Sequence, residues 1–360
     1  MSLRVLCITS HSDRPEAETF IGLHKAGVEV EVMCPPDAPH YRRIEEAGVP
    51  ITPLVFKGRF DWEKIRLVRE RLKKKGYDIL HLFNNKAASN GIFASYGLPV
   101  KIVCYRGIVG NVSFFDPASW MTYLHPKVDR VVCVCEAIRR HFLEMSLLGM
   151  HLPAEKFVTI YKGHDLSWYN QPAADLSEFG VPDGAFVVGC VANDRPRKGL
   201  HVLIDAARYL PEDAPVHFLL VGNMNSETLS EQIEQSPWRE RFHRTGFRTD
   251  APSLMAACDT SVLPALKREG LPKVIIESMA QGTPVIVTDS GGSPELMIDG
   301  ESGLVVPPGD SRALAEAILS LWKDPAGSSA MGERGQQHIA ENFRIDKTIS
   351  RTLELYRGLF

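Results

Sequence analysis

The feature that most confines this chain is a regular alternation of short apolar runs with longer amphipathic stretches. In the first half, RVLCITS, VEVEVMC, VPITPLVF, DILHLF, VKIVCY, RVVCVC and KFVTIY read as strands. PEAETFIGLHKAG, residues 61–76 and EAIRRHFLEMSL lie between them with helical spacing. The second half resumes with AFVVGCVA, VHFLLVG, RFHRTGF, DTSVLP and PVIVT, again separated by helices. Strands apolar on both faces, with a helix after each, belong to parallel sheets covered on both sides. At 360 residues the chain exceeds the size at which one core keeps growing, so two α/β domains are expected. A polar, proline-containing stretch, SWYNQPAADLSEFGVPDG (167–184), marks the join. The reading is therefore a first domain over 1–170, a second over 171–340, and a last helix within 341–360.

No run of eighteen apolar residues occurs, so no membrane-spanning helix is predicted. The opening MSLRVLCITSHS lacks a charged leader followed by a long apolar core, and a cytoplasmic protein is expected. The seven cysteines are scattered mostly in strand-like runs with no C-x-x-C pair, which points to buried, reduced thiols. The histidines show no metal spacing, and no bound metal is expected.

Charge divides unevenly. Residues 1–170 carry 23 Lys+Arg against 18 Asp+Glu, whereas the remainder carries 18 against 26. The basic excess is densest in EKIRLVRERLKKKG, 63–76. That stretch is either a solvated helix flank or a surface that meets anionic lipid or an anionic glycolipid, as a peripheral protein would. No nucleic-acid partner is expected.

The densest chemistry lies in 267–310, KREGLPKVIIESMAQGTPVIVTDSGGSPELMIDGESGLVVPPGD. Glu269 and Glu277 have seven residues between them, with Gly270 and Pro272 just after the first. Proline suits a first helical turn, so a helix is predicted over 271–280. The amides around Gly270, Leu271 and Lys273, on either side of Pro272, then form an anion site at its N-terminus. Glu277 would lie roughly 10 Å further along, at ~1.5 Å per residue. A glutamate at a helix start is often only dipole compensation. Glu277, in an otherwise apolar helix, needs a partner, because a buried unpaired carboxylate is costly. The spacing suits a ligand with hydroxyls at both ends and phosphate between, such as a nucleotide sugar.

This segment resembles the glutamate-pair motif of the retaining family-4 glycosyltransferases. The downstream GG-SPEL, DG-ESGLVVPPGD and ALAEAI pattern matches over about sixty residues. Weaker matches extend over roughly 3–360. The resemblance implies the GT-B fold: two Rossmann-like domains with parallel sheets facing across a cleft, and a final helix packed back on the first domain. It implies transfer of a sugar from a UDP- or GDP-type nucleotide-diphosphate sugar, with no cofactor or metal. The implied acceptor is a glycan or glycolipid, as in bacterial surface polysaccharide or lipopolysaccharide synthesis.

The resemblance assigns Glu269 to donor-sugar hydroxyls, Glu277 to the ribose and Lys198, before Gly199, to the diphosphate. The family's usual arginine six residues earlier is here Ala192, so Arg195 is the expected second phosphate cation. Asn193 and Gly222 are candidate walls of the donor site, and Phe247 and Arg248, after Gly246, hold the nucleobase through backbone groups. On the first domain, Ser12 and Arg14 occupy the place of paired glycines. Arg106-Gly107 stands where many relatives have a histidine, and a permanently charged guanidinium there would hold an anionic group. Lys162 replaces the asparagine of an Asn-Gly-x-Asp turn, with Asp165 expected to cap it. Glu136 reads as a helix cap. A sugar phosphorylase on the same fold and a non-catalytic nucleotide-sugar-binding subunit are the alternatives.

Overall fold

The computed structural model describes residues 2–360. The chain forms two compact units, Met1–Gly163 with Arg344–Phe360, and His164–Phe343. The first unit is built on seven parallel strands. Their order across the sheet is Ile51–Pro53, Glu29–Cys34, Arg4–Ile8, Ile79–Leu82, Lys101–Arg106, Arg130–Cys133 and Phe157–Thr159. The second has six, ordered Phe242–Gly246, Val216–Val221, Phe186–Val191, Thr260–Leu263, Val285–Thr288 and Leu304–Val306. In each sheet the first strand lies between the second and the fourth, so connections leave it in opposite directions. The loops at the carboxyl ends of those neighbours splay apart there and open a crevice.

The strands are apolar because both faces are covered. Val5, Cys7, Val32, Ile79 and Val103 are buried in the first core, and Val188, Phe218, Leu220, Val262 and Ile286 in the second. All seven cysteines are buried free thiols. Among the described residues, no helix is long and apolar enough to cross a membrane.

Three local readings are corrected. The join falls at Gly163–His164 rather than at 170, because Trp168 and Tyr169 are buried and pack with the second unit. Their short turn, Leu166–Tyr169, sits against the helix Lys273–Ala280, and Ala174 N–H donates to Ser253 O. Leu304–Val306 is a strand that was not anticipated; three residues within a turn-rich motif carry too little periodicity to show one. The helix expected over 271–280 is Lys273–Ala280, with Pro272 as its N-cap.

The closing helix, Ile345–Arg357, packs on Arg14–Lys25. Tyr356 is fully buried and its hydroxyl shares a 2.7 Å hydrogen bond with Nδ1 of buried His81. Burial holds that imidazole neutral, its pKa pushed down to about 3. His81 Nε2 has no partner, so the phenol is the ring's one hydrogen bond. Tyr356→Phe is therefore expected to cost about 1–3 kcal/mol, the range for stranding a buried polar atom. Denaturant titration checks this; unchanged stability would show that the ring does not depend on the phenol.

Candidate active site

The second unit's crevice brings together residues about seventy positions apart. Strand Phe186–Val191 feeds the loop 192–198, and its neighbour Thr260–Leu263 feeds the loop 264–272. Leu266 N–H donates to Arg197 O at 2.8 Å, tying the two loops edge to edge. Across that seam the Arg197 guanidinium reaches Glu269 Oε1 at 2.9 Å. Lys198 Nζ lies 3.0 Å from Oε1 and 3.1 Å from Oε2. The carboxylate is buried, its side chain 6% exposed, so these two cations offset its desolvation.

Two glycines make this close approach possible. A Cβ on Gly199 would stand 1.9 Å from Pro264 O, and one on Gly291 2.0 Å from Glu269 O. Both have positive φ, 69° and 61°. Arg268, directly before Glu269, also has φ 66°, a strained value for a side-chain-bearing residue. The Gly291 turn carries Ser290 and Ser293, whose buried hydroxyls have no hydrogen-bond partner. Gly270 and Leu271 then lead into Lys273–Ala280, and no acceptor among the described residues takes the amides of Gly270, Leu271 and Lys273. Pro272 has no amide hydrogen to offer. One helical turn along, Lys273 Nζ pairs with Glu277 at 2.6 Å. The arrangement is an anion site with one buried carboxylate at its mouth and a second along the helix.

Arg195 is placed differently from expectation. It is exposed and lines a separate hollow of about 280 Å³ with Asp194, His201 and Ser226. The cation that joins Lys198 on Glu269 is Arg197. The intervening 3-10 turn Pro196–Lys198 moves residue 195 out of the crevice and turns residue 197 into it. The stretch RPRK, 195–198, holds three cations, and only the turn selects among them.

The other donor-side residues line the neighbouring loops. Asn193 is exposed, and its carbonyl accepts from Arg195 N–H. Gly222 N–H donates to Gly246 O, and its own Cα lies too close to Ala192 O for a side chain. Phe247 is 71% exposed just beyond Gly246. Arg248 is held by Asp250 through two hydrogen bonds of 2.8 and 2.7 Å. That pairing uses the Asp250 carboxylate, and Asp250 makes no side-chain cap for Ala251–Ala256.

In the first unit, Ser12 is fully buried with an unpartnered hydroxyl, directly before the helix Arg14–Lys25. Asp13 caps that helix through Glu16 N–H and also pairs with Lys162 at 2.6 Å. Burial raises the neighbouring Glu16 carboxyl to about 8, with Lys162 opposing the shift. Arg14 is half-buried on the first helical turn. Asp165 caps the turn Leu166–Tyr169 by accepting from Ser167 N–H. Glu136 makes no cap of its kind; it takes Thr159 Oγ1–H and the Arg139 guanidinium.

Arg106 departs most from expectation. It lines an open hollow of about 490 Å³ with Phe83, Asn85, Tyr105 and Gly107. Yet its side chain is buried and serves its own loop: Nε–H donates to Ile108 O at 3.0 Å and a second N–H donates to Gly110 O. The guanidinium lies 4.8 Å from the Tyr123 ring centre, a cation–π contact. Its structural duty is to hold the turn 106–110. Arg106→Ala is expected to lower stability by about 1–3 kcal/mol through stranded carbonyls. Arg106→Lys should recover only part, since lysine lacks the two-pronged donor. Urea titration of both variants checks this; two variants as stable as the parent would remove the loop-holding role.

Among the described residues, no three His, Cys, Asp or Glu side chains form a group that could hold a metal ion.

Two units with parallel sheets of this topology form a GT-B protein, the architecture shared with known structures. Anabaena Alr3699/HepE, crystallised with UDP and glucose, superposes with a TM-score of 0.80 at 23% identity, covering 99% of this chain and 100% of that one. Residues 18–168 match the family model "Glycosyltransferase Family 4" and 174–338 match "Glycosyl transferases group 1". The chain belongs to the family-4 GT-B glycosyltransferases. It is similar to the phosphatidyl-myo-inositol mannosyltransferase of Mycolicibacterium smegmatis, 27% identical over 91% of this chain and 87% of that protein. It also resembles the lipopolysaccharide core biosynthesis glycosyltransferase LpsE of Rhizobium meliloti, 34% identical over 51% of this chain and 53% of that protein.

Proposed function

We propose that this glycosyltransferase moves a sugar from a UDP- or GDP-type nucleotide sugar to a glycan or glycolipid acceptor, with retention at the anomeric carbon. The observation that carries the reading is the buried Glu269 carboxylate clamped by Arg197 and Lys198 beside free amides. A diphosphate bound at those amides draws the two cations toward its oxygens. Glu269 is then free to accept hydrogen bonds from the donor sugar. Glu277 takes the ribose hydroxyls in place of Lys273.

In the reaction, the bond from the anomeric carbon to the phosphate oxygen breaks. The acceptor oxygen bonds that carbon on the same face, and the departing phosphate takes the acceptor's proton. Lys198 and Arg197 stabilise the negative charge growing on the leaving diphosphate, so neither a protein base nor a metal is required. Names of relatives support the acceptor class: one acts on phosphatidyl-myo-inositol, another serves lipopolysaccharide core synthesis.

A thermal-shift screen of UDP- and GDP-sugars tests the donor. A matched donor at a hundredfold excess over its Kd stabilises by ~2.7 kcal/mol. NMR of the product's anomeric proton then tests retention. Sugar transfer that proceeds with no nucleotide present would replace this reading with a phosphorylase.

A further inference from the structure

The second unit has a hollow at the far end of its sheet that the transfer chemistry does not use. Ala185, Pro215, Asp259 and Pro284 each stand directly before a strand, and all four line a cavity of about 370 Å³. The crevice that holds Glu269 opens at the carboxyl ends of the same strands. The strand Phe186–Val191 alone separates the two by about 17 Å at ~3.3 Å per residue, so they are distinct places. The volume falls within the ~300–1,000 Å³ usual for small-molecule clefts.

The walls carry hydrogen-bonding groups that the fold leaves over. Gln281, the C-cap of Lys273–Ala280, lines the hollow, and its Nε2 is sealed from solvent with no partner. An unmade buried donor destabilises the fold, so this one calls for an explanation. Asp259 accepts from Val187 N–H at 2.6 Å through one oxygen, and its other oxygen takes no described hydrogen bond. Ser328, 7% exposed, lines the hollow from the first turn of the helix Pro325–Asn342, and its hydroxyl makes no described hydrogen bond. Half-buried Trp322 and Phe186 supply the aromatic part of the wall. Asp259 is the one charged side chain among the lining residues, with no Lys, Arg or His beside it.

We propose that this hollow binds a neutral saccharide unit, its C–H face against Trp322 and its hydroxyls shared among Asp259, Gln281 and Ser328. Sugar hydroxyls both donate and accept, and a carboxylate oxygen, a carboxamide and a hydroxyl together satisfy both needs. An anionic ligand would meet Asp259 with no cation to offset it. A cleft of aromatic walls with a few polar groups is the usual build of a small-molecule site. The choice of a saccharide among neutral ligands rests on the reading that the enzyme extends a glycan. The hollow then holds a sugar away from the reacting end.

The test is saturation-transfer NMR on the full chain, with saturating UDP or GDP present. The probes are glucose, galactose, mannose, N-acetylglucosamine and their α-linked disaccharides at millimolar concentration. At least one is expected to bind, and to shift tryptophan fluorescence in a way that Trp322→Phe removes. Gln281→Met should weaken that binding tenfold or more while the unfolding temperature holds or rises, because the stranded amide is gone. Trp322→Ala should weaken it as well, with nucleotide affinity as in the parent. Absence of any bound saccharide, or binding undiminished in Gln281→Met and Trp322→Ala, overturns the proposal. So does binding of tetramethylammonium that Asp259→Asn abolishes, with no saccharide bound, which would assign the hollow to a cation. The assay needs no turnover, so its failure is distinct from a failure of sugar transfer.

Discussion

Replacing Glu269 by glutamine is expected to lower turnover about 10²–10³-fold, the range for losing one preorganised polar contact to a transition state. The carboxylate is buried and already oriented by two cations, so its geometry is fixed before a ligand arrives. Glutamine keeps the shape but removes the charge that donor-sugar hydroxyls and a developing positive anomeric carbon would feel. Arg197 and Lys198 lose their internal counter-ion at the same time and become fully available to phosphate. Affinity for the nucleoside diphosphate should therefore hold or rise while kcat falls. Calorimetry with the diphosphate and steady-state kinetics separate the two. A variant that loses diphosphate affinity and turnover in parallel would place Glu269 in binding rather than in the chemical step.

Lys198→Ala is expected to reduce kcat about 10²–10³-fold with a smaller rise in the donor's KM, since phosphate charge increases toward the transition state. Arg197→Ala should follow it, whereas Arg195→Ala should stay within a few-fold of the parent. The contrast rests on the 3-10 turn that aims residue 197 at Glu269 and leaves residue 195 in solvent. Kinetics of the three single variants decide it. If Arg195→Ala is the damaging change and Arg197→Ala is mild, the ion-pair cluster is a resting arrangement and the donor recruits a different cation.

Most of the architecture was legible because parallel strands must be apolar on both faces, and runs such as VVGCV and HFLLV can be little else. Glu269 and Lys198 stood beside glycines that let their loops approach, and the structure pairs them; Glu277, a carboxylate in an apolar helix, needed a partner, which Lys273 supplies. Arg197 was hidden because three adjacent cations differ only in direction, and direction belongs to the turn. The loop-holding part of Arg106 was hidden for the same cause. Its charge pointed to a ligand, but its two carbonyl partners lie two and four residues ahead, a local loop that composition does not encode. Ser290 and Ser293 stood in plain view within SGGSPEL, yet only burial distinguishes an idle hydroxyl from a solvated one.

The hydrogen bond between His81 and Tyr356 joins residues 275 positions apart, and the whole second unit lies between them. Synthesis imposes an order on such a chain. The seven-stranded sheet leaves the ribosome early but lacks the helix Ile345–Arg357 that covers part of it. At ~5–20 residues per second, the roughly 180 residues of the second unit take about 9–36 s to emerge. The second unit is continuous and can complete itself within that interval, so the half that begins first finishes last. Until then the apolar surface that Ile349, Leu353 and Tyr356 will cover is open to water. That nascent surface is where a chaperone would hold this chain.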